Sequence, residues 1–408
     1  MDTPPSAEAL TQAREAFTEG AAHFEARRLA QAEQCFARAL ALAPGRPSVL
    51  LNLGVVRLHL GRAEDALPCL QAATQALPDD VMAWRALAGA CRTLQRWDEA
   101  CTALQAALRC GPQDPVAMAE LAATLARLQR QPEALAWAQR ALQAAGADAA
   151  ADWWVLQGDL QRELGQGDAA RDSYRRARDA GADPVLMDFY LSALENAAAT
   201  TTPPADYVRA LFDDYAADFE QHLVGTLQYQ GHETLMRLLA EATPAQRFAR
   251  ALDAGCGTGL CGRLLRARCD HLTGIDLAPA MVEQAQRTQV YDRLAADDLC
   301  THLLTPGLLP YDLVVAADVF IYVGPLEAVF QALHRATQPG SWLAFTVEAG
   351  ARGTGVRLLP SLRYSHSADL LHGLAERHGW TVVRQVSAPI RVHEGTPLPG
   401  EYWILQRL

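Results

Sequence analysis

The 408-residue chain has no lysine; all 36 of its basic residues are arginine. That excludes Schiff-base chemistry and the lysine that cradles phosphates in a P-loop. Cysteine is present but unpatterned. Its nine copies are Cys35, Cys69, Cys91, Cys101, Cys110, Cys256, Cys261, Cys269 and Cys300, an odd number with no C-x-x-C pair. Neither a disulfide framework nor a zinc site is expected, and no metal. Small buried hydrophobes in a reducing compartment are. No apolar run approaches the roughly 20 residues that span a bilayer. Met1-Asp2-Thr3-Pro4-Pro5 offers no basic segment followed by an apolar one, so residence in the cytoplasm is expected. The net charge of −11 is spread over both halves, without the basic excess of a nucleic-acid binder. What remains is a globular balance, 50% hydrophobic and 20% charged, long enough for two domains and possibly three.

The first half repeats. Pro44, Pro78 and Pro112 each follow an alanine by five residues (Ala39, Ala73, Ala107), and seven residues earlier stands another (Ala32, Ala66, Ala100). Phe36, Leu70 and Leu104 fall between them. Twenty-four residues before each proline is a small residue: Gly20, Gly54, Ala88. A 34-residue period of this kind reads as helix-turn-helix units. Small residues let two helices cross closely, large apolar ones fill the gap to the next unit, and proline stops the second helix. A fourth copy ends at Gly146. A fifth runs two residues late through Trp154, Gly158, Ala170, Tyr174 and Ala177. Five repeats over 13–184 should curl into a solenoid with a concave groove, the kind of surface that holds a peptide or a partner helix.

Residues 185–205 are expected to connect the halves through a helix and a linker, with Pro203-Pro204 near its end. Beyond them, over 206–408, the period changes. Short β-rich runs at about 250–254, 272–276, 293–296, 312–317, 342–348, 380–387 and 401–407 alternate with helical stretches. This predicts a largely parallel, helix-covered sheet of seven strands. Pro397-Leu398-Pro399-Gly400 is expected to turn the chain into a last strand antiparallel to the one before.

The first βαβ unit of that half is the most informative segment. Asp253-Ala254-Gly255-Cys256-Gly257-Thr258-Gly259 follows a buried strand, and Asp276 sits at the tip of the next. The glycines allow a tight turn and a close approach to a ligand, and Asp276 can accept from ribose hydroxyls. The spacing is G-x-G-x-G, whereas a dinucleotide site usually shows G-x-G-x-x-G. A carboxylate such as Asp253 at the mouth of the turn repels a pyrophosphate but suits a cationic ligand bearing an amino group. S-adenosylmethionine (SAM) is such a ligand.

Leu252 to Gly259, Gly274-Ile275-Asp276-Leu277-Ala278-Pro279-Ala280-Met281, Ala296-Asp297-Asp298-Leu299, Tyr311 to Asp318 and Gln338-Pro339-Gly340 occur in one order. Together they resemble class I SAM-dependent methyltransferases. With the repeats, the chain resembles a bacterial group of tetratricopeptide-containing methyltransferases. The resemblance implies that Asp253 and the backbone of Gly255, Cys256, Gly257 and Gly259 hold the methionine end. It implies that Asp276 binds the ribose, that Leu277 or Met281 flanks the adenine, and that Asp298, or its neighbour Asp297, faces the adenine amino group. Asp318 would look into the crevice beside the reacting methyl. Tyr215, Phe219 and His222, on one face of an upstream helix, are expected either to cover the cofactor or to pack into the core.

The methyl acceptor is less legible. The sequence lacks an Asn/Asp-Pro-Pro-Tyr run after the fourth strand and a Pro-Cys in the second half, which argues against DNA base amines and pyrimidine carbon-5. An oxygen or nitrogen of a protein or small-molecule acceptor remains. Glu348 and His366 are candidate bases, and Arg357 or Arg363 is a candidate for an acidic acceptor. Two other classes stay open: a scaffold whose SAM fold no longer turns over, and an NAD-dependent oxidoreductase.

Overall fold

The computed structural model describes residues 6–195, 203–215, 229–393 and 396–408. It divides into two compact units, Met1–Ala182 and Asp183–Leu408. The expected linker around 196–202 lies outside the described residues.

Among the described residues, the first unit consists of ten α-helices in five antiparallel-type pairs. They are α1 (Ala7–Glu25) with α2 (Leu29–Leu42), α3 (Pro47–His59) with α4 (Ala63–Ala76), and α5 (Val81–Thr93) with α6 (Trp97–Cys110). The last two pairs are α7 (Pro115–Arg127) with α8 (Gln131–Ala145) and α9 (Ala151–Glu163) with α10 (Gly167–Asp179). Pro44, Pro78 and Pro112 stand just beyond the C-caps Ala43, Leu77 and Gly111, and Gly146 caps α8 with φ of 59°. First helices start on Asp80 and Asp114, whose carboxylates accept from the second and third backbone N–H groups, the usual remedy for orphan donors. The small-to-large pattern has a specific job. A Cβ on Gly20 would meet the Phe36 ring at 2.9 Å, one on Gly54 the Leu70 side chain at 2.6 Å, and one on Gly158 the Tyr174 ring at 2.6 Å. The large residue therefore fills the crossing inside its own repeat as well as the gap to the next one, where Phe36 shares a core with Leu53 and Val56, and Leu70 with Leu87.

The second unit starts with α11 (Pro184–Leu194), whose Phe189 and Tyr190 rings pack on Tyr207 of α12 (Ala205–Tyr215) at 5.5 and 5.8 Å. Next come α13 (Gly231–Ala242), β1 (Phe248–Ala254), α14 (Leu260–Leu265), β2 (Cys269–Asp276), α15 (Pro279–Arg287), β3 (Arg293–Ala296), α16 (Leu299–Leu303), β4 (Tyr311–Ala316) and α17 (Glu327–Ala336). The chain continues through β5 (Thr337–Gly350), β6 (Val356–Leu358), β7 (Tyr364–Ser367), α18 (Ala368–Arg377), β8 (Trp380–His393) and β9 (Thr396–Arg407). The sheet order is β3-β2-β1-β4-β5-β7-β6, with β9 also on β5 and β8 on β9. Strands β1 to β5 are parallel, and β8 and β9 are antiparallel.

Alternation sorts the two faces. Ala251, Leu313, Val315, Ala344, Tyr402 and Ile404 pack under α13. Leu252, Val314, Phe345, Val347, Trp403 and Leu405 pack against α17 and α18. Strands covered on both faces read as apolar runs, which is why β4 is Leu313-Val314-Val315-Ala316.

The sheet differs from expectation at its far end. Besides the seven expected strands it has two short ones, β6 and β7. The expected turn at 397–400 is strand instead: Pro399 lies opposite Pro389 and Pro397 opposite Val392. Pairing of β9 with β5 stops at Gly400, opposite Glu348. The prolines thus sit where only two strands meet and a missing N–H costs little. This extension carries Arg391 on β8. No helix among the described residues is long and apolar enough to cross a membrane.

Candidate active site

The turn after β1 is set by backbone hand. Gly255, Gly257 and Gly259 have φ of 67°, 52° and 94°, the left-handed region that glycine enters without a Cβ clash. A Cβ on Gly255 would also lie 2.4 Å from Val319, just past β4, so β1 and β4 close on each other here. The turn opens into a helix at the carboxyl ends of the strands, where strand order reverses around β1. Ligands of open α/β sheets bind at that place.

Asp276 ends β2 and points at the turn. Its Oδ2 accepts from Gly257 N and its Oδ1 from Ala278 N, both at 2.9 Å. Burial raises its pKa, and these backbone donors oppose the rise. A carboxylate offers about four acceptor positions, so two stay open for ribose hydroxyls. Cys256 N donates to Ile275 O at 2.8 Å, tying the turn to β2. The Cys256 side chain is buried, which pushes its thiol well up. Thr258 has a buried hydroxyl with no partner, an orphaned polar atom inside the cradle.

Asp253 does not stand at the mouth of the turn. It is 1% exposed, and its Oδ2 accepts from the Tyr291 hydroxyl at 2.6 Å. Burial pushes its carboxyl up to about 7, against the pull of that hydrogen bond, and Asp276 adds to the rise. Tyr291 is wedged behind the turn. A Cβ on Gly262 would lie 2.2 Å from its hydroxyl, and one on Gly274 2.8 Å from its ring. No local pattern points to Tyr291, because its partners Asp253, Gly262 and Gly274 lie on three separate segments.

The residues expected near an adenine divide. Asp298 is exposed and caps α16, accepting from Thr301 N at 2.9 Å. Asp297 is half-buried, with an oxygen 3.6 Å from His302 Nδ1. Leu277 is half-buried beside the crevice, whereas Met281 is fully buried with Ala278 and packs against Phe212 of α12. Phe212 also meets Tyr322 edge-on at 5.0 Å, and Asp213 Oδ1 accepts from Ala280 N at 3.1 Å. Helix α12 thus lies across the crevice through Phe212 and Asp213. Phe219 and His222 lie outside the described residues, as does the side chain of Tyr215.

At the ends of β4 and β5 lies a buried ionic cluster. Asp318 has φ of 60°, rare for a residue with a side chain, and its N donates to Thr346 Oγ1 at 2.8 Å. Arg391 forks between two acids: Nη1 donates to Asp318 Oδ2 at 2.8 Å and Nη2 to Glu348 Oε1 at 2.7 Å. Arg391 and Glu348 are each 3% exposed. Burial raises the Glu348 pKa, while Arg391 and Arg363 pull it down. Asp318 Oδ1 remains buried without a partner.

His366 is elsewhere. Ser365 pairs with Glu348 and His366 with Ala349, so His366 points to the opposite face of the sheet from Glu348. It is 0% exposed, with Nε2 against Gly324 O at 3.0 Å, and burial lowers its pKa to about 4. The two candidate bases therefore do not share a site. In the first unit, Glu19, His23 and Cys35 form the one trio of possible metal ligands among the described residues. Arg38 bonds Glu19 at 2.7 Å and Arg28 bonds His23 at 2.9 Å, so cations of the chain already satisfy it.

An open α/β sheet with a left-handed glycine turn, an acid at the neighbouring strand tip and an antiparallel last strand pair defines a nucleoside-binding fold of the Rossmann-like class. Comparison with known proteins narrows this. Residues 227–385 match the family described as a methyltransferase domain, and residues 17–68 and 60–115 match the tetratricopeptide repeat. The chain therefore joins tetratricopeptide repeats to a methyltransferase domain. It is 34% identical over 168 residues to malonyl-(acyl-carrier protein) O-methyltransferase of Enterobacter lignolyticus, covering 41% of this chain and 61% of that protein. It is 40% identical over 92 residues to human methyltransferase-like protein 27, covering 22% of this chain and 36% of that one. The N-methyltransferase NodS of Bradyrhizobium japonicum, solved with S-adenosylhomocysteine, is 19% identical with a TM-score of 0.41, covering 49% of this chain and 97% of NodS. The matches span about half the length of the curated relatives.

Proposed function

We propose that the chain transfers a methyl group from SAM to an oxygen or nitrogen of an acceptor, with residues 206–408 as the catalytic part. The arrangement of Gly255, Gly257 and Gly259 around Asp276 supports this reading most. When bound, SAM supplies a methyl already activated on a sulfonium, so the chain's own work is to hold, orient and exclude water. Asp276 takes the ribose with its open acceptor positions. Backbone groups of the turn and the unpaired Thr258 hydroxyl meet the methionine end. With Asp253 buried beneath the turn, the open Oδ1 of Asp318 is the better acceptor for the ammonium. Asp297 is the better placed of the doubled acids for the adenine amino group, since Asp298 is spent on capping α16. Phe212 and Asp213 cover the crevice.

The repeat array, 13–184, serves as an arm for a protein or peptide partner, and the cytoplasm is the compartment that fits the unpaired cysteines. The test is transfer from methyl-labelled SAM into a lysate fractionated into protein, RNA and small molecules. Label in the protein or small-molecule fraction is expected. Intact binding of SAM with no label in any fraction would favour a scaffold that no longer turns over.

A further inference from the structure

Arg363 lies just before β7, two residues from Ser365, which pairs with Glu348, and its charge acts on both Glu348 and Asp318. It is half-buried, its Nε donates to the Tyr322 hydroxyl at 3.3 Å, and its guanidinium stands 5.8 Å from that ring's centre. No carboxylate of the described residues comes within ion-pair distance of it. Arg391 differs in being consumed by two acids. A half-buried guanidinium with a free fork is built for a planar, bidentate anion.

The groups nearby leave no base to spare. Glu348 and one oxygen of Asp318 accept from Arg391, and His366 faces away. The charged groups acting on Glu348 are Arg391, Arg363 and Asp318, so with Glu348 itself the cluster sums to zero. A sulfonium brought beside it leaves one positive charge unbalanced in a low-dielectric crevice. Hydroxyls and amines need a base to become nucleophiles near neutral pH, whereas a carboxylate is already ionised.

We propose that the acceptor presents an ionised carboxylate, gripped by Arg363, and that the product is a methyl ester. This rests on the methyl-transfer reading above. A carboxylate oxygen attacks the methyl carbon, the carbon–sulfur bond breaks with its electron pair going to sulfur, and no proton moves. One positive and one negative charge vanish together, giving a neutral thioether and a neutral ester. Arg363 binds the acceptor, and Arg391 is a positioning residue that holds Asp318 and Glu348 in place.

The experiment uses the full chain, methyl-labelled SAM and lysate separated into protein and small molecules, followed by mild alkali and trapping of volatile methanol. Methyl esters hydrolyse under these conditions, while N-methyl and ether groups do not. The transferred label is expected to leave as methanol. Its fraction of origin tells a protein carboxyl from a free acid. Arg363→Gln should lower labelling about tenfold or more with S-adenosylhomocysteine affinity, measured by calorimetry, unchanged. Arg363→Lys should keep part of it. Alkali-stable label, or Arg363→Gln labelling at the wild-type rate, overturns the proposal. Absence of all transfer despite SAM binding overturns the methyl-transfer reading first, and this inference with it.

Discussion

Glycine does two different jobs in the two units. In the repeats, Gly20, Gly54 and Gly158 are ordinary helical residues, small because Phe36, Leu70 and Tyr174 occupy the space a Cβ would take. In the turn after β1, Gly255, Gly257 and Gly259 are needed for a backbone hand that other residues resist. The first use is about volume and can be traded against a neighbour. The second is about φ and cannot. Polar burial divides the units in the same way. The repeat core is mostly alanine and leucine, with neutral Thr74, Thr124, Gln161 and Ser173 as its buried polar side chains, whereas the second unit buries the charged Asp253, Glu348 and Arg391. Stability is built in the one and partly given up to a site in the other.

Perturbing that ionic cluster should separate the units most. Arg391→Ala leaves two buried acids without their shared cation, which costs about 3–5 kcal/mol. Chemical denaturation should show the methyltransferase unit unfolding earlier and the repeat helices unchanged. A single transition shifted as a whole would show that the two cores are not independent.

The glycine contrast can be tested by rescue. Gly54→Ala presses on Leu70 and should cost about 1–3 kcal/mol by overpacking. Trimming the neighbour with Leu70→Val should recover much of it. Gly255→Ala meets Val319 and also holds alanine in the left-handed region, about 1–2 kcal/mol on its own. Val319→Ala should relieve the contact but not the backbone, so SAM binding stays weakened. Equal rescue at both sites would erase the distinction.

A smaller effect separates the units by pH. The folded pKa of Asp253, about 7, lies above that of an unfolded aspartate, so the folded state holds the proton more tightly. Its contribution is complete below about pH 4 and lost as pH rises through about 7. The His366 imidazole runs the other way. Its folded pKa of about 4 lies below the unfolded value, so its contribution is present above about 6.5 and lost as pH falls towards 4. Stability of Asp253→Asn measured between pH 5 and 8 should decline less with rising pH than that of the wild type. A parallel slope would show that Asp253 is ionised throughout.

The repeats were readable because a 34-residue period carries its own confirmation in Pro44, Pro78 and Pro112. The turn was readable because glycines and an acid sit within one βαβ unit. Arg391 was not, since Pro389 just before it argues against strand and hid the extension that brings it to Asp318. The short strands β6 and β7 escaped because three or four residues cannot show a period. They matter because the register of β7 against β5 separates His366 from Glu348. Tyr291 and Phe212 were missed for a related reason: each acts through contacts between distant segments, which no local pattern records.

The central claim is that a sulfonium nucleoside lodges over β1 and β2, anchored by its sugar to Asp276. Titration of SAM into the full chain, wild type and Asp276→Ala, tests it most directly. Saturable heat with one site, competed by S-adenosylhomocysteine and weakened by about 1–3 kcal/mol in the variant, is the predicted result. Equal affinity in both proteins, or no heat at millimolar SAM, would contradict it.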